Sequence, residues 1–524
     1  AFLVFLDQLT QQARAGTLGQ ALQLIYISPL KSLASDIREN LKKPLAGILH
    51  EIRSGESDAA SDSIQINVSL RTGDTPAKER ARMIKSPPHI LITTPESLYL
   101  MLTSKSTARA VIIDELHALI DAKRGAHLML SIARLDKLCP APLQRIGLSA
   151  TIRPLETAAA YLSPDPVTIA APDMQKDIEL IVTSPLPDAK TLPDGSIWPD
   201  LANAVVEHCE GANSVIAFVQ GRLFAEKLAY YVNRITEKGF ARTHHGSLSK
   251  EQRLEVEQAL RDGTLKLLCA TSSMELGIDV GDIDRVLQIG CPLSVSSTLQ
   301  RLGRAGHNPG RVSVMHIFPR TASEGLYCGL MAQAARMGQM EDAHPPRQCL
   351  DILAQHLVSM AAGEAYTVDD VLEILPRAYP FTRVTKEDVE SLLCMLAGDY
   401  EHAQDIPVRP RLLYDRIHET VEGDTYSRML AISAGGTIPD RGQYTVKTQD
   451  GVKLGELDEE FVFEARVGDN FMLGTFAWRI TSIQKDDVIV TASAAEGAQM
   501  PFWKGDWTGR GIRAGLSFGA TLRM

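Results

Sequence analysis

The strongest constraint on the fold of this chain is an alternation of two patterns between about residues 20 and 320. Short apolar runs rich in β-branched residues alternate with longer stretches of helical periodicity. Such runs are typical of parallel strands that are buried on both faces and connected through helices. The runs are Leu24 to Ile27, Ile90 to Thr93, Ala110 to Ile113, Arg145 to Leu148, Val215 to Val219, Leu265 to Ala270, Arg285 to Ile289 and Val312 to Phe318. The sequence therefore predicts an α/β fold with parallel sheets.

These runs are too many for one sheet, and the proline-rich stretch from Ser184 to Pro199 lacks periodicity, so we expect two α/β lobes. Residues 345 to 400 are mainly helical, which suits a small helix-turn-helix or winged-helix module. After residue 430 the pattern becomes alternating, as in a twisted sheet or barrel. Strands are predicted there at Tyr444 to Thr448, Phe461 to Ala465, Phe471 to Ile480 and Val488 to Thr491. The predicted domains are two lobes (1–172 and 173–340), a winged helix (341–405) and a β-rich domain (406–524).

Composition excludes several classes of protein. Hydrophobic residues make up 44% and charged residues 23% of the 524 residues, which is the balance of a globular chain with several cores. Lys and Arg number 54 against 64 for Asp and Glu, so any nucleic-acid binding requires a local basic groove. The seven cysteines form no C-x-x-C pair and no apolar run is long enough to span a membrane, so the sequence predicts a cytoplasmic protein.

The clearest chemical signal is the run from Val111 to His117, an apolar strand that ends in Asp114 and Glu115. A carboxylate at the carboxyl end of a parallel strand can hold Mg²⁺ through water. A second carboxylate beside it can orient and deprotonate the water that attacks a phosphate. On these residues alone, a strand that ends in a solvated turn is an open alternative.

Two further runs favour nucleotide chemistry. Gly147 to Thr151 is another strand that leads into small hydroxyl residues. Residues 270–279 precede the run Gln300 to Gly306, in which Arg301 and Arg304 lie three positions apart. Two arginines on one helical turn can both face a nucleotide across a cleft and neutralise its γ-phosphate. Each run alone is compatible with a helix cap or a surface salt bridge, but their order along one chain favours a nucleotide-driven motor.

These runs resemble the motifs of superfamily 2 helicases. Asp114 to His117 resembles the DExH box, Ser149 to Thr151 the SAT motif, and Gln300 to Arg304 the QRxGR motif. The resemblance implies two RecA-like lobes that use ATP and Mg²⁺. Asp114 would then position Mg²⁺ and Glu115 would activate water, while Gln300, Arg301 and Arg304 would complete the catalytic site. The residues implied to couple ATP hydrolysis to movement are His117, Ser149, Thr151, Gly277 and Asp279.

The same resemblance implies a surface that binds a nucleic-acid strand. Residues 28–33 resemble motif Ia, residues 71–74 the loop that follows it, and residues 93–97 motif Ib. Phe218 to Arg222 and His244 to Leu248 resemble the corresponding contacts of the second lobe. Side chains of these types hold phosphates without reading bases. The implied strand contacts are Ser28, Pro29, Lys31, Arg71, Gly73, Thr93, Thr94, Pro95, Glu96, His245, Thr271 and Ser272.

Beyond the two lobes, the chain resembles the large helicase-related (Lhr) proteins. The resemblance covers nearly the whole chain and is carried by Leu350 to Leu357, Ala434 to Asp440, Gly455 to Phe461 and Met500 to Trp503. It implies a 3′-to-5′ translocase and helicase that tracks on single-stranded DNA and unwinds DNA or RNA:DNA duplexes in DNA repair. Ile438 and Trp503 are candidates for stacking on bases, with a hairpin Ile and a core Trp as the alternatives. No membrane partner is expected, and a monomer is the default.

The nucleotide site implied by this resemblance is incomplete, because the 524 residues contain no G-x-x-x-x-G-K-[ST] and no Gly-Lys dipeptide. The family carries that phosphate-binding loop just before a helix like Ala1 to Leu9. We therefore expect the loop to precede Ala1, the C-terminus to be cut as well, and this chain alone to be nearly inactive. Two alternatives stay open: an RNA helicase, since backbone contacts do not distinguish ribose from deoxyribose, and a non-catalytic nucleic-acid-binding scaffold with a degenerate motor fold.

Overall fold

The structure is a computed structural model. It describes residues 2–55, 65–102, 107–172, 177–184, 196–237, 239–277, 281, 283–305, 312–399, 409–437, 442–494, 497–503, 509 and 511–523. The chain forms two compact units. The first unit combines Ala1–Ala171 with Asp342–Ile438, and the second combines Pro172–Glu341 with Pro439–Met524. Each unit therefore pairs one α/β lobe with one of the two C-terminal domains.

The first lobe is a five-stranded parallel sheet flanked by helices. Its strands are β1 (Leu24–Ile27), β2 (Val68–Arg71), β3 (Ile90–Thr93), β4 (Ala110–Ile113) and β5 (Gln144–Gly147), in the order β2-β3-β1-β4-β5. Its helices are α1 (Phe2–Arg14), α2 (Lys31–Gly55), α3 (Ala77–Lys85), α4 (Pro95–Leu102), α5 (His117–Ile120), α6 (Lys123–Leu138) and α7 (Leu155–Leu162). The strands β1, β3 and β4 are buried throughout because helices cover both faces. The prediction of a parallel α/β lobe is confirmed.

The second lobe is a six-stranded parallel sheet with the order β6-β11-β10-β7-β9-β8. Its strands are β6 (Ile178–Val182), β7 (Val215–Phe218), β8 (Ala241–His244), β9 (Leu267–Ala270), β10 (Arg285–Ile289) and β11 (Ser313–Phe318). Its helices are α8 (Trp198–Cys209), α9 (Arg222–Ile235), α10 (Lys250–Arg261), α11 (Val295–Leu302) and α12 (Ala322–Arg336). Both lobes have the RecA-like arrangement that the sequence predicts.

The winged-helix domain follows and packs on the first lobe. Its elements are α13 (Leu350–Ala361), β12 (Tyr366–Thr367), α14 (Val368–Ile374), α15 (Lys386–Leu396), β13 (Leu413–Asp415), β14 (Thr420–Glu422) and α16 (Thr425–Ser433). The three strands form one antiparallel sheet, and β13 and β14 make the wing. The predicted boundary at residue 405 lies before the wing, because short polar strands leave little signal in the sequence.

The β-rich domain is a five-stranded mixed sheet with the order β16-β15-β19-β18-β17. Its elements are β15 (Gln443–Thr448), β16 (Lys453–Asp458), α17 (Glu459–Glu464), β17 (Asn470–Leu473), β18 (Phe476–Ile483), β19 (Asp487–Ala492) and α18 (Ile512–Arg523). The predicted strand at Phe461 to Ala465 is wrong. The buried Asp458 carboxylate accepts a hydrogen bond from the Glu460 N–H at 3.0 Å and starts a helix there instead. Among the described helices, none has the length and apolarity that crossing a bilayer requires.

Candidate active site and nucleic-acid interface

Asp114 lies at the carboxyl end of the central strand β4 and is half-buried. Its backbone N–H donates to the Ile27 carbonyl at 2.9 Å, which fixes the end of β4 against β1. Its side chain accepts hydrogen bonds from the Tyr26 hydroxyl and, at 3.0 Å, from the Glu115 N–H. Burial raises the pKa of Asp114 and, together with the Asp114 charge, raises that of Tyr26. Two donors thus orient the carboxylate at the carboxyl end of the sheet, and it has further lone pairs for a cation.

Glu115 turns the chain sharply after the strand. Its φ of 49° lies in the left-handed region, which non-glycine residues rarely occupy. Such conformations concentrate at functional sites, where the surrounding structure imposes them. The turn places a Glu115 carboxylate oxygen 3.5 Å from Nδ1 of His117, which lies 3.1 Å from the Ser149 hydroxyl. The DExH and SAT runs, predicted to be functionally coupled, are therefore in contact within the first unit.

The predicted strand contacts of the first lobe lie together at the carboxyl ends of β1, β2 and β3. The Ser28 N–H donates to the Thr93 carbonyl at 2.9 Å, and the Thr93 hydroxyl donates to the Arg71 carbonyl at 2.7 Å. Ser28, Thr93, Thr94 and Pro95 are buried, so their side chains hold the three loops together. Lys31 and Gly73 are exposed, and Lys31 forms an ion pair with Asp74 at 2.7 Å. Within this group, Lys31 is an exposed cation and Arg71 is half-buried.

Arg124 is a residue of this region that the sequence analysis missed. Its guanidinium donates to both carboxylate oxygens of Glu96, at 2.5 and 3.0 Å, and to the Pro29 carbonyl at 2.6 Å. Burial opposes ionisation of Glu96, but the Arg124 contact holds the pKa of Glu96 below its usual value. Arg124 thereby joins the loops after β1 and β3. A single Arg in a helical segment gives no indication in the sequence that its guanidinium connects two other segments.

The two arginines of the QRxGR run have different environments. Arg301 is only 4% exposed, and its guanidinium donates to Glu275 and to Gln288, both at 2.6 Å. It also lies over the Phe218 ring at 5.2 Å. Helix α11 ends at Leu302, and Arg304 follows it in a turn in which the Arg304 N–H donates to the Arg301 carbonyl at 3.0 Å. Gln300 and Arg304 are half-buried at this end of α11.

The other predicted residues of the second lobe lie after β8 and β9. Thr271 is buried and its N–H donates to the His244 carbonyl at 3.2 Å, whereas Ser272 is exposed in a 3₁₀ turn. Gly277 is half-buried, and Asp279 lies outside the described residues. Ile438 also lies outside the described residues.

His245 and Trp503 do not reach the surface, which corrects their prediction as nucleic-acid contacts. His245 is fully buried, and its Nε2 lies 2.9 Å from a Glu226 carboxylate oxygen. Trp503 is 4% exposed, its ring centroid lies 5.6 Å from that of His245, and its indole N–H donates to the Glu456 carbonyl at 3.3 Å. A buried ring offers no face for a base, so the alternative of a core Trp is correct.

Comparison with known proteins covers most of the chain. The family profile "DEAD/DEAH box helicase" matches residues 1–158, "Helicase conserved C-terminal domain" matches residues 200–308, and "Large helicase-related protein, winged helix domain" matches residues 333–500. The last match covers the winged-helix domain and most of the β-rich domain together.

Three individual proteins are informative. An "Lhr helicase/ probable uracil glycosylase" of Mycolicibacterium smegmatis is 42% identical over 563 residues, which cover 99% of this chain and 37% of that protein. An "ATP-dependent helicase Lhr-Core" of Methanothermobacter thermautotrophicus is 36% identical over 96% of this chain and 59% of its own length. A solved structure of Mycobacterium smegmatis helicase Lhr bound to single-stranded DNA and AMP-PNP has a TM-score of 0.79 and 40% identity over 99% of this chain and 63% of that one. The chain thus spans between about a third and two thirds of these relatives.

Proposed function

Because this chain belongs to the large helicase-related (Lhr) family of superfamily 2 helicases, we propose that it is the motor portion of an ATP-dependent DNA helicase. The similar solved protein carries single-stranded DNA and an ATP analogue, which supports ATP and a DNA strand as the ligands of this chain too. The proposed reaction is hydrolysis of ATP to drive movement along one strand.

The observation that carries this proposal is the arrangement of Asp114, Glu115, His117 and Ser149 at one edge of the first sheet. Glu115 is the proposed general base, which orients and deprotonates the water that attacks the γ-phosphate. His117 lies between Glu115 and Ser149, so a change at the Glu115 carboxylate can reach the SAT run through one side chain. We propose that Ser149 and Thr151 relay this change to the strand-binding loops.

Asp114 fits the expected Mg²⁺ ion. A half-buried carboxylate, oriented by Tyr26 and the Glu115 N–H, is a hard oxygen ligand of the kind that Mg²⁺ takes through its water shell. When bound, Mg²⁺ neutralises phosphate charge. The role of Asp114 itself is to fix the position of that charge at the sheet edge.

We propose different roles for the two arginines. Arg304, half-buried beyond the end of α11, is the proposed donor to the γ-phosphate in the transition state, with Gln300 beside it. Arg301 is held by Glu275 and Gln288, so its proposed role is to position this end of α11. Replacing Arg304 with Ala should therefore lower turnover while sparing ATP binding, whereas Arg301→Ala should also destabilise the second lobe.

The phosphate-binding loop motif G-x-x-x-x-G-K-[ST] does not occur in the 524 residues. We therefore propose that the full-length protein hydrolyses ATP and that these 524 residues alone turn it over very slowly, because no P-loop Lys holds the β- and γ-phosphates. Measuring ATPase activity of both proteins with single-stranded DNA tests this. Turnover by the 524-residue chain within tenfold of the full-length protein would contradict the proposed site.

The finer features of the activity are tested by unwinding. We propose 3′-to-5′ movement on DNA, with DNA and RNA:DNA duplexes as substrates and DNA repair as the setting. Full-length protein is mixed with duplexes that carry a 3′ or a 5′ tail of DNA or RNA. Unwinding of 3′-tailed DNA supports the proposal. Activity only on RNA tails would favour an RNA helicase, and strand binding without any turnover would favour a scaffold. A monomeric state and a cytoplasmic location remain predictions.

A further inference from the structure

A buried carboxylate of the second lobe is hydrogen-bonded to the β-rich domain. Glu226 on α9 is 1% exposed, and its Oε1 lies 2.9 Å from Nε2 of His245. The same oxygen accepts from the Gly474 N–H at 2.7 Å, and Oε2 accepts from the Thr475 N–H at 3.2 Å. Gly474 and Thr475 form the turn between β17 and β18 of the β-rich domain. One side chain of the lobe therefore holds both the predicted strand-contacting segment and the β-rich domain.

The segment after His245 continues this contact by pairing with β16. The Glu456 N–H donates to the Ser247 carbonyl at 2.7 Å, and the Ser249 N–H donates to the Leu454 carbonyl at 2.8 Å. Between them, Leu248 pairs antiparallel with Gly455. A Cβ at Gly455 would lie 2.1 Å from the Ser247 carbonyl oxygen, so this close approach requires glycine. The lobe segment thus adds to the edge of the sheet of the β-rich domain.

The turn that Glu226 holds is conformationally unusual. Gly474 has a φ of 67° and Thr475 a φ of 70°. A β-branched residue in the left-handed region is an outlier that persists only where its surroundings impose it. Two hydrogen bonds from the turn to one buried carboxylate supply that constraint.

We propose that Glu226 is a positioning residue that locks the β-rich domain to the segment His244 to Leu248 of the second lobe, so that the two move as one body during translocation. The link to translocation rests on the proposed function, whereas the contacts that form the lock are a property of the second unit. The chemical basis of the lock is that the two carboxylate oxygens accept from the ring of His245, from the Thr243 hydroxyl and from two backbone amides. A Gln of the same length keeps only one of these acceptor oxygens.

The second unit provides a matched control in Glu257. The Glu257 carboxylate on α10 lies 2.9 Å from Nε2 of His244, the neighbour of His245, and both side chains are buried. The other hydrogen bond of this His244 ring goes to Ser273 of the same lobe, at 2.9 Å. Glu226 and Glu257 therefore form the same carboxylate–histidine contact in the same lobe, and the bonds to Gly474 and Thr475 belong to Glu226.

The first test measures amide hydrogen exchange in the 524-residue chain. Glu226→Gln replaces one of the two acceptor oxygens with an NH₂ group that faces a donor, so exchange at Gly474, at Thr475 or at both should rise about tenfold to a hundredfold, as expected for a lost charge-assisted hydrogen bond. Glu257→Gln should leave these two amides within about twofold of the unmodified chain. Unchanged exchange in a folded Glu226→Gln protein, or an equal rise in both variants, would overturn the lock.

The second test uses the full-length protein and counts ATP molecules hydrolysed per base pair unwound. The ratio should rise at least twofold in Glu226→Gln and stay unchanged in Glu257→Gln, because a loosened domain lets hydrolysis proceed without productive movement. A merely structural loss would lower both rates together and leave the ratio constant, which would overturn the positioning role. Absence of unwinding by the unmodified protein would instead refute the proposed function.

Gly455→Ala disturbs the same junction from the β-rich domain and leaves Glu226 unchanged. The added methyl group has no space against Ser247. It should reproduce both the faster exchange at Gly474 and Thr475 and the raised ATP ratio. If Gly455→Ala produces both effects while Glu226→Gln produces neither, Glu226 is not the lock.

Discussion

The winged-helix domain and the β-rich domain are attached to their lobes in different ways. Ile352, Leu353 and Leu357 of the winged-helix domain belong to the same buried apolar cluster as Val111 and Ile113 of the first sheet. The β-rich domain has its own apolar core, to which the second lobe contributes Leu248 among the described residues. The rest of that junction includes hydrogen bonds to Glu226 and to the backbone of Ser247 and Ser249, together with ring contacts. The Trp503 ring lies against His245 and Arg222, and Phe518 of α18 stacks on Tyr327 of α12.

This difference predicts that the two C-terminal domains differ in how cooperatively they unfold with their lobes. Apolar burial contributes roughly 25 cal/mol per Å² and is continuous across the first junction, so the winged helix and the first lobe should unfold together. The second junction is held by hydrogen bonds and a few ring contacts, so the β-rich domain and the second lobe, which move together while folded, can unfold in separate steps.

The largest expected effect is at a buried ion cluster of the first junction. Asp136 and Arg145 side chains are each 3% exposed, with their closest oxygen and nitrogen 3.0 Å apart, and Arg377 of the winged-helix domain also contacts Asp136. Asp136→Ala leaves buried Arg145 without its charge partner and should cost about 3–5 kcal/mol of unfolding free energy. Denaturant unfolding measures it.

A surface pair across the same junction provides the control for Asp136. Lys137 and Glu373 form an ion pair with side chains 42% and 64% exposed. Lys137→Ala should cost less than about 1 kcal/mol, because solvent screens exposed pairs. Equal losses of unfolding free energy for Asp136→Ala and Lys137→Ala would contradict burial as the cause of the larger effect.

A pair of core truncations tests the shared core against the separate one. Leu357 and Leu457 are both fully buried, in the winged-helix domain and the β-rich domain respectively. Each change to Ala should cost about 2–5 kcal/mol. Leu357→Ala should speed amide exchange in β4 of the first lobe, whereas Leu457→Ala should leave β10 of the second lobe unchanged. Faster exchange in β10 would mean that the β-rich domain and the second lobe unfold together.

Acidification should weaken the first junction. His127 of the first lobe and His356 of the winged-helix domain have ring centroids 4.7 Å apart, next to buried Arg134. Burial lowers the pKa of His127 from 6.5 to about 4 and that of His356 well below 6.5. Between these values the unfolded chain binds more protons than the folded one, so stability falls as pH falls from about 6.5 towards 4.

For His127 alone, the loss between about pH 7.5 and pH 5 should be about 2 kcal/mol. Unfolding free energies of the unmodified chain and of His127→Gln at both pH values measure it, and the variant should show the shallower pH dependence. The exposed His50→Gln is the control and should keep the original slope. Identical slopes in all three proteins would exclude His127 as the source.

The smallest effect concerns the left-handed turn of the second junction. Thr475→Gly removes a β-branched side chain from a φ of 70° and should raise stability by at most about 1 kcal/mol. Ala477→Gly, in the adjacent strand β18, should lower it by about 0.5–1 kcal/mol. Thermal unfolding compares the two. A loss for Thr475→Gly as large as that for Ala477→Gly would mean that the turn carries no strain.

Burial explains which parts of the fold the sequence predicted. The apolar runs of the central strands β1, β3, β4, β7 and β10 coincide with the predicted positions to within one residue. In the two lobes, the strands without a prediction are β2, β6 and β8, which all lie at sheet edges, where one side is uncovered and polar residues interrupt the run. The edge strand β5 was predicted, so an edge position weakens the apolar pattern without always removing it.

The residues of the candidate site also fall into those that the sequence could predict and those that it could not. Asp114, Glu115 and Ser149 were predictable because strand ends and small residues have a local pattern. The burial of Arg301, His245 and Trp503 was not, because it depends on Glu275, Glu226 and the β-rich domain, which are distant in sequence. Short sequence motifs identify a region, while long-range contacts decide which of its side chains face a ligand.

The most direct test of the account is DNA-stimulated ATP hydrolysis by the full-length protein with Glu115→Gln, with the exposed Glu156→Gln as control. Loss of the proposed general base should lower turnover by about 10²–10⁴-fold. Single-stranded DNA binding should change less than twofold, and Glu156→Gln should match the unmodified protein. Retained turnover in Glu115→Gln, or loss of DNA binding together with turnover, would contradict a catalytic role for this carboxylate.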